Sequence, residues 1–339
     1  MKKGSLLSQK FDYKKFIQEK FIYLFLFLVV VVFSFISARG TTWFGRGHFL
    51  SSYNLISLVR ICTPTIILAS GFTFIMIAGY MDLSVGSAMS LCSVIYALIV
   101  RAGYPFIVGM LAAVVVGILC GLINGAIVTR LRITPVIATL VTMMAYKGIA
   151  LLIVPDKFSG IKSTDTLCLP FWFGDYGRGK FLLGLPSAFY VGVVIILIIV
   201  VLQRRTVIGK YSAAIGGNST AAQLAGISIV KYVSILFVIT GILAAFAGVT
   251  QASYSGMGDP LCGDGMETDC IIAVLLGGTA FTGGEGSTFK SVIGAMIIIC
   301  ITSGILTVVD AYYQDFLKGA VLILAVTMNK LINSKGSLA

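Results

Sequence analysis

"LLGGTAFTGGEGSTFKSVIG", residues 275–294, holds six glycines and a Lys-Ser pair at Lys290 and Ser291. Glycines ahead of Lys-Ser suggest a phosphate-binding loop, and with it a soluble α/β nucleotide-binding fold. The spacing rejects this. A G-x-x-x-x-G-K-[ST] loop needs its Lys directly after the last glycine, so that backbone N–H groups and the ammonium reach the same phosphates. Here three residues separate Gly286 from Lys290. The flanks reject it too, because "CIIAVL" (270–275) and "VIGAMIIICITSGILTVV" (292–309) are apolar runs of another kind.

Composition identifies them. Of 339 residues, 58% are hydrophobic and 11% charged, against about 25% charged in a soluble domain. The polar surface is too small to cover a water-facing globule, so the excess apolar length faces a lipid bilayer. The net charge of +12 does not mark a partner of nucleic acid, because the cations lie between apolar runs and not on one face among aromatics. The N-terminal "MKKGSLLSQKFDYKKFIQEK" carries six lysines. No small-residue cleavage site closely follows the first apolar run, which therefore reads as an uncleaved span. The seven cysteines include no C-x-x-C and His48 is the sole histidine, so no metal site is expected. His48 reads as an interfacial residue. Cys168 and Cys262 fall in loops placed outside, where a disulfide between them stays open.

Cutting the chain at charges and breakers, with about 20 residues per crossing, gives candidate spans 21–38, 56–79, 83–100, 106–128, 134–153, 186–202, 232–252, 269–282, 288–309 and 316–331. The fold class is therefore all-α, a polytopic membrane protein of about ten transmembrane helices, some broken or re-entrant. With the N-terminus inside, the inner segments collect fifteen of the 25 Lys and Arg residues and the outer segments seven, while Arg60, Lys147 and Lys318 fall in or beside spans. That asymmetry favours both termini in the cytoplasm. The organisation is a cytoplasmic segment 1–20, one transmembrane domain 21–331 and a cytoplasmic tail 332–339. A long loop at 155–185 lies outside, and a basic-ended segment at 203–231 lies inside. Neither has room for a soluble enzyme domain.

Several stretches are candidates for function. In "AGYMDLSVGSAMSL" (78–91), Asp82 stands between two apolar runs with no polar loop around it, and an intramembrane carboxylate requires partners. One reading has Asp82 cap a broken helix starting at Leu83, with Ser84, Gly86 and Ser87 allowing close backbone approach. The other has Asp82 relay protons or cations, against which no second acidic residue is seen in an adjacent span. The paired glycines Gly277, Gly278, Gly283 and Gly284, with Gly286, suit either a helix that enters the bilayer, breaks and turns, or simple tight packing. In "IGKYSAAIGGNSTAAQLAGI" (208–227) the alanines favour a short helix, Gly216 and Gly217 break what precedes it, and Asn218 or Ser219 can cap it. A small, weakly charged cytoplasmic helix suits a partner's groove. The acidic residues Asp259, Asp264, Glu267 and Asp269 lack calcium-loop spacing and read as solvated surface.

Four stretches, in order, carry a resemblance. "MDLSVGS" (81–87) is similar to I-D-L-S-V-G-S, and "INGAIVTRLRITPVIATLVTM" (123–143) to N-G…L…P-F-I-A-T-L-G-T-M. "AIGGNSTAAQLAGI" (214–227) is similar to A-I-G-G-N-x-x-A-A-x-x-x-G-I, and "AVLLGGTAFTGGEGS" (273–287) to A-V-x-L-G-G-x-x-x-x-G-G-x-G-S. These are motifs of the permease subunits of bacterial ABC importers for ribose, xylose, galactose and related monosaccharides, which the chain resembles along nearly its whole length. Tyr80 and Met81 stand where Gly-Ile is usual, Val136 where Phe is usual and Val141 where Gly is usual.

The resemblance implies a multi-pass protein of the bacterial cytoplasmic (inner) membrane. It implies a dimer with a second permease copy or paralogue, a soluble extracytoplasmic sugar-binding protein outside, and ATPase subunits docked inside. Gly216, Gly217, Asn218, Ala221, Ala222, Gly226 and Ile227 fall in the coupling segment that meets the ATPases. The chain itself carries no Walker loop, no nucleophile-base pair and no cofactor motif, so it is expected to be a transport subunit without catalytic residues. The rival expectation is a secondary transporter driven by protonation of Asp82.

Overall fold

A computed structural model describes residues 13–37, 49–154, 176–177 and 184–306, and beyond these residues 313, 316, 318–321, 323 and 327. His48, Cys168, most of the 155–185 loop, most of the span expected at 316–331 and both chain ends lie outside the described residues.

In a bilayer each backbone N–H and C=O must be satisfied within its own segment, so apolar stretches become helices whatever their propensity. The β-branched run Val29 to Val32 is helical for this reason. The elements are α1 (Tyr13–Ser37), α2 (Ser52–Ile77), α3 (Val85–Arg101), α4 (Phe106–Thr129), α5 (Pro135–Ile153) and α6 (Ser187–Arg205), followed by two short helices α7 (Val207–Gly217) and α8 (Ser219–Leu224). The chain continues through α9 (Ile229–Ser255), α10 (Met266–Leu276) and α11 (Thr288–Leu306). No strand occurs among the described residues. Five helices, α2, α4, α5, α6 and α9, are long and apolar enough to cross a membrane. Shorter apolar stretches lie in α1, α3 and α11.

Burial sorts the helices into layers. The apolar windows of α2 and α9 are each 67% buried, against 33% for α4 and 28% for α5 and α6. Thus α2 and α9 form the centre and the others pack around it. On α4, Leu111, Val115, Leu119 and Leu122 are about half exposed on one face, a spacing that builds a lipid-facing stripe. The opposite face of α4 is made of Gly117, Gly121 and Gly125. A methyl group at Gly117 would overlap the Gly241 carbonyl of α9, and one at Gly121 the Phe237 carbonyl. The two helices therefore meet backbone to backbone, as small-residue stripes allow when no hydrophobic effect drives association.

Two interruptions shape the interior. Between α2 and α3 the chain turns over residues 78–84, with Gly79 at φ 80° and no polar loop. After α9, Gly256 caps the helix in the left-handed region, and residues 256–265 run alongside α3 without helix. Gly258 packs on Ala97 and Gly263 on Gly86, a separation along α3 of about 16 Å at 1.5 Å per residue. The short α10 covers about 16 Å more. Together they traverse the roughly 30 Å of a hydrocarbon core.

These features correct two expectations. The span expected at 269–282 is α10, which ends at Leu276 before the glycine pair, and the deep non-helical backbone lies upstream at 256–265. The acidic stretch is likewise not solvated surface throughout: Asp264 is exposed but Asp269 is not. Asp269 is 5% exposed and pairs with Lys318 at 2.9 Å, and Asp264 pairs with Lys147 at 2.7 Å. A second buried carboxylate therefore does exist in the bundle. It was illegible as such because its partner is 49 residues away.

Candidate functional site

Two clusters concentrate the bundle's polar chemistry. The first surrounds Asp82. Its carboxylate is 3% exposed and has no cationic partner among its hydrogen bonds. Oδ1 accepts from the Ser84 backbone N–H at 3.0 Å, the Ser84 hydroxyl at 2.6 Å and the Asn124 amide at 3.3 Å. Oδ2 accepts from the Thr240 hydroxyl at 3.2 Å. Asn124 also donates to Ser84 Oγ at 2.7 Å and accepts through Oδ1 from the Tyr146 hydroxyl at 3.1 Å. One carboxylate thus ties the α2–α3 turn to α4 and α9, and through Asn124 to α5. The expected capping geometry needs correction: α3 begins at Val85 with Ser84 at its N-cap, so Asp82 holds one backbone N–H ahead of the helix and spends its remaining capacity on other helices. Ser84 and Ser87 are buried, and Gly86 lies against Gly263 and the Glu267 carboxylate.

The second cluster lies at the end of the bundle that carries residues 203–231, the basic end. The Ile77 carbonyl, last in α2, accepts from the Gly284 N–H at 2.8 Å. Gly216 lies against the same carbonyl and Gly284, and a Cβ there would overlap the Ile77 oxygen. Gly283 and Gly284 have φ of 79° and 88°, a turn that L side chains resist. Below it, Gln203 at the end of α6 donates to the Gly286 carbonyl at 2.9 Å and accepts from the Thr288 N–H at 3.0 Å. Gly277 packs on Ser291, and Gly286 on Thr279 and Ile77. The glycine loop is thus a tight connection between α10 and α11, seated on the end of α2. A cleft of about 460 Å³ opens beside it, with Gln203, Arg204, Gly284, Glu285, Ser287 and Lys290 in its wall.

The segment expected to couple to a partner bounds this end. It comprises two helices, with α7 running through Gly216 and Gly217 and the break falling at Asn218. Asn218 caps α8, its side chain accepting from the Ala221 N–H at 2.9 Å. Ala222 is buried at 5%, while Leu224 is 86% exposed. Gly217, Ala221 and Gly226 are exposed and Ile227 half-buried. Sequence reading passed over Leu224; its signal is a large aliphatic residue among alanines on a helix already assigned to the aqueous side. It also passed over Asn124, Tyr146 and Thr240, whose meeting with Asp82 depends on helix packing over as many as 158 residues. Among the described residues, no three His, Cys, Asp or Glu side chains converge in a way that could hold a metal. Cys262 carries a free thiol.

Comparison with known proteins identifies the chain's relatives. Residues 54–326 match the family described as "Branched-chain amino acid transport system / permease component". The chain is 32% identical to the ribose import permease protein of Escherichia coli K12 over 283 residues, 83% of this chain and 87% of that one. It is 30% identical to the D-allose transport system permease protein of the same strain over 325 residues, 95% of each. It is 31% identical to the L-arabinose ABC transporter permease protein of Azospirillum brasilense over 283 residues, 83% of this chain and 81% of that one. No solved structure matches.

Proposed function

This chain belongs to the permease family of branched-chain amino acid-type transport systems, and from that premise we propose that it is the membrane subunit of an ATP-driven importer for a monosaccharide. It is a multi-pass protein of the cytoplasmic membrane and a transport component, not an enzyme. The sugar assignment draws on relatives named for ribose, allose and arabinose. In this reading the basic end is cytoplasmic and α7–α8 receives the motion of separate ATPase subunits. A soluble binding protein delivers the sugar at the opposite end, and a second permease completes the pathway.

The observation that carries the proposal is the three-way contact of Gly216, the Ile77 carbonyl and the Gly284 N–H. A push on α8 moves α7, and α7 cannot shift at Gly216 without displacing the end of α2. The 78–84 turn follows, and five residues past Ile77 is Asp82, which is bonded to α4 and α9. A small motion at the cytoplasmic side therefore reaches the helices of the interior through close-packed backbone, the kind of bistable contact that amplifies it. Asp82 is a poor proton carrier by comparison: it is enclosed, and its oxygens are held by four donor groups. This disfavours the ion-coupled alternative.

The test is reconstitution of the chain with candidate ATPase and sugar-binding subunits of the same organism, with ATP-dependent uptake measured across a panel of pentoses and hexoses. Uptake that needs ATP and both partners is the expected result. Sugar uptake by this chain alone under a proton gradient would overturn it.

A further inference from the structure

The Lys147–Asp264 ion pair lies well inside the bundle's length yet stays open to its surroundings. Lys147 sits twelve positions beyond Pro135, the first residue of α5, or about 18 Å along it. Asp264 follows Gly263, whose N–H donates to Ser90 Oγ at 2.9 Å and which packs against Gly86 at the start of α3. Lys147 is thus about 9 Å short of the other end of α5 at Ile153, within the length that a hydrocarbon core covers, and Asp264 meets it there. Their side chains are nevertheless 38% and 48% exposed.

Charged groups at such depth face a bundle interior or water, because hydrocarbon does not solvate them. The neighbourhood fits water. One side of the non-helical segment is packed on α3 through Gly258 and Gly263, while Leu261, Asp264 and Gly265 on its other side are open. On α5, Tyr146 is buried against α4, whereas Gly148 has no neighbour near its Cα hydrogen positions. We propose that Lys147 and Asp264 stand on the wall of the aqueous translocation pathway and hydrogen-bond the hydroxyl groups of the passing sugar.

The chemistry suits a polyol. Lys147 has three ammonium protons and gives one to Asp264 Oδ2. The remaining protons and the carboxylate lone pairs offer a donor and an acceptor side by side, the pattern that adjacent hydroxyls complete. Glu267 and Asp269 lie within the next two turns, and Lys318 answers Asp269. Asp269 is buried and neutralised by Lys318, so the charges open at this wall are those of Asp264, Lys147 and the half-buried Glu267, a set that suits an uncharged sugar better than a sugar phosphate.

This inference rests on the importer reading, and its first experiment works without transport. Lys147→Cys and Asp264→Cys are placed singly in the full complex in proteoliposomes and treated with a membrane-impermeant trimethylammonium methanethiosulfonate. Labelling above that of the parent chain is expected at both positions. Leu197→Cys, on the exposed apolar face of α6, is expected to remain unlabelled. Millimolar D-ribose, D-allose or L-arabinose, each with the binding protein present, should slow the reaction at least threefold for the sugar carried. Labelling no faster than at Leu197→Cys removes the aqueous wall, and labelling that no sugar slows removes the sugar contact.

A second measurement separates contact from mere bracing. Lys147→Gln and Asp264→Asn should each raise the half-saturating sugar concentration for uptake several-fold, and the exchange Lys147→Asp with Asp264→Lys should not restore it. Restoration by the exchange would reduce the pair to a brace and overturn the contact. Loss of ATP-dependent uptake in the unmodified complex would instead count against the importer reading, leaving the labelling result to stand by itself.

Discussion

Gly216 and Gly217 are neighbours of one kind in sequence and of two kinds in space. A Cβ on Gly216 overlaps the Ile77 carbonyl, while one on Gly217 meets nothing within 4 Å. Gly216→Val should therefore uncouple ATP hydrolysis from sugar delivery and lower uptake at least tenfold, and Gly217→Ala should leave both near normal. Sugar-stimulated ATPase activity of the assembled complex reads the difference. Asp82 makes a companion case, since Asp82→Ala would leave the Ser84 N–H and hydroxyl buried without an acceptor, while Asn124 keeps Ser84 Oγ and Thr240 keeps the Phe237 carbonyl. At about 1–3 kcal/mol for an orphaned buried group, the bundle should lose about 2–4 kcal/mol, read as a lower midpoint of thermal unfolding in detergent. The sequence exposed Asp82 because a carboxylate between apolar runs is conspicuous. Its partners are ordinary Asn, Thr and Tyr residues that gain meaning only when three helices converge.

Helix positions were legible because crossing length and the cost of charge in hydrocarbon fix them: α4 and α5 begin and end within one residue of the spans 106–128 and 134–153. The interval from Ser255 to Thr288 was not. Hydropathy counts side chains, whereas the depth of residues 256–265 is decided by glycine backbones that fit against α3 across 177 positions, Gly86 to Gly263. The same backbone-to-backbone packing joins α4 and α9, and it yields a paired prediction. Gly117→Ala puts a methyl group into the Gly241 carbonyl and should cost about 1–3 kcal/mol as overpacking. Gly148→Ala, in open space on α5, should be neutral or stabilise by up to about 1 kcal/mol through helix propensity. Thermal unfolding of the two variants, measured side by side, checks the sign of each.

The whole molecule is a buried pair of helices wrapped by others whose outer faces remain apolar, and its composition announced that arrangement before any residue was placed. What composition leaves out is how the last described part of the chain is secured. Lys318 reaches back to Asp269 at the start of α10, with side chains 21% and 7% exposed. Removing one member of a buried pair strands the other. Asp269→Asn or Lys318→Met alone should therefore lower the unfolding midpoint by the equivalent of about 3–5 kcal/mol. The double change Asp269→Leu with Lys318→Met should recover most of the loss, and failure to recover would assign the pair a role other than cohesion.

The short α10 with its unwound approach bears on how the protein is made. A stretch of 11 helical residues behind a polar, glycine-rich turn is too brief for the insertion machinery to recognise as a crossing segment. The unwound approach is held to α3 through Gly263, which meets Ser90 and Gly86, and α10 itself packs chiefly on α11 and α2. Insertion of this stretch is therefore expected to wait for its neighbours: α2 and α3 leave the ribosome before α10 and α11 after it, so α10 should be taken up once they are in place and not as it emerges.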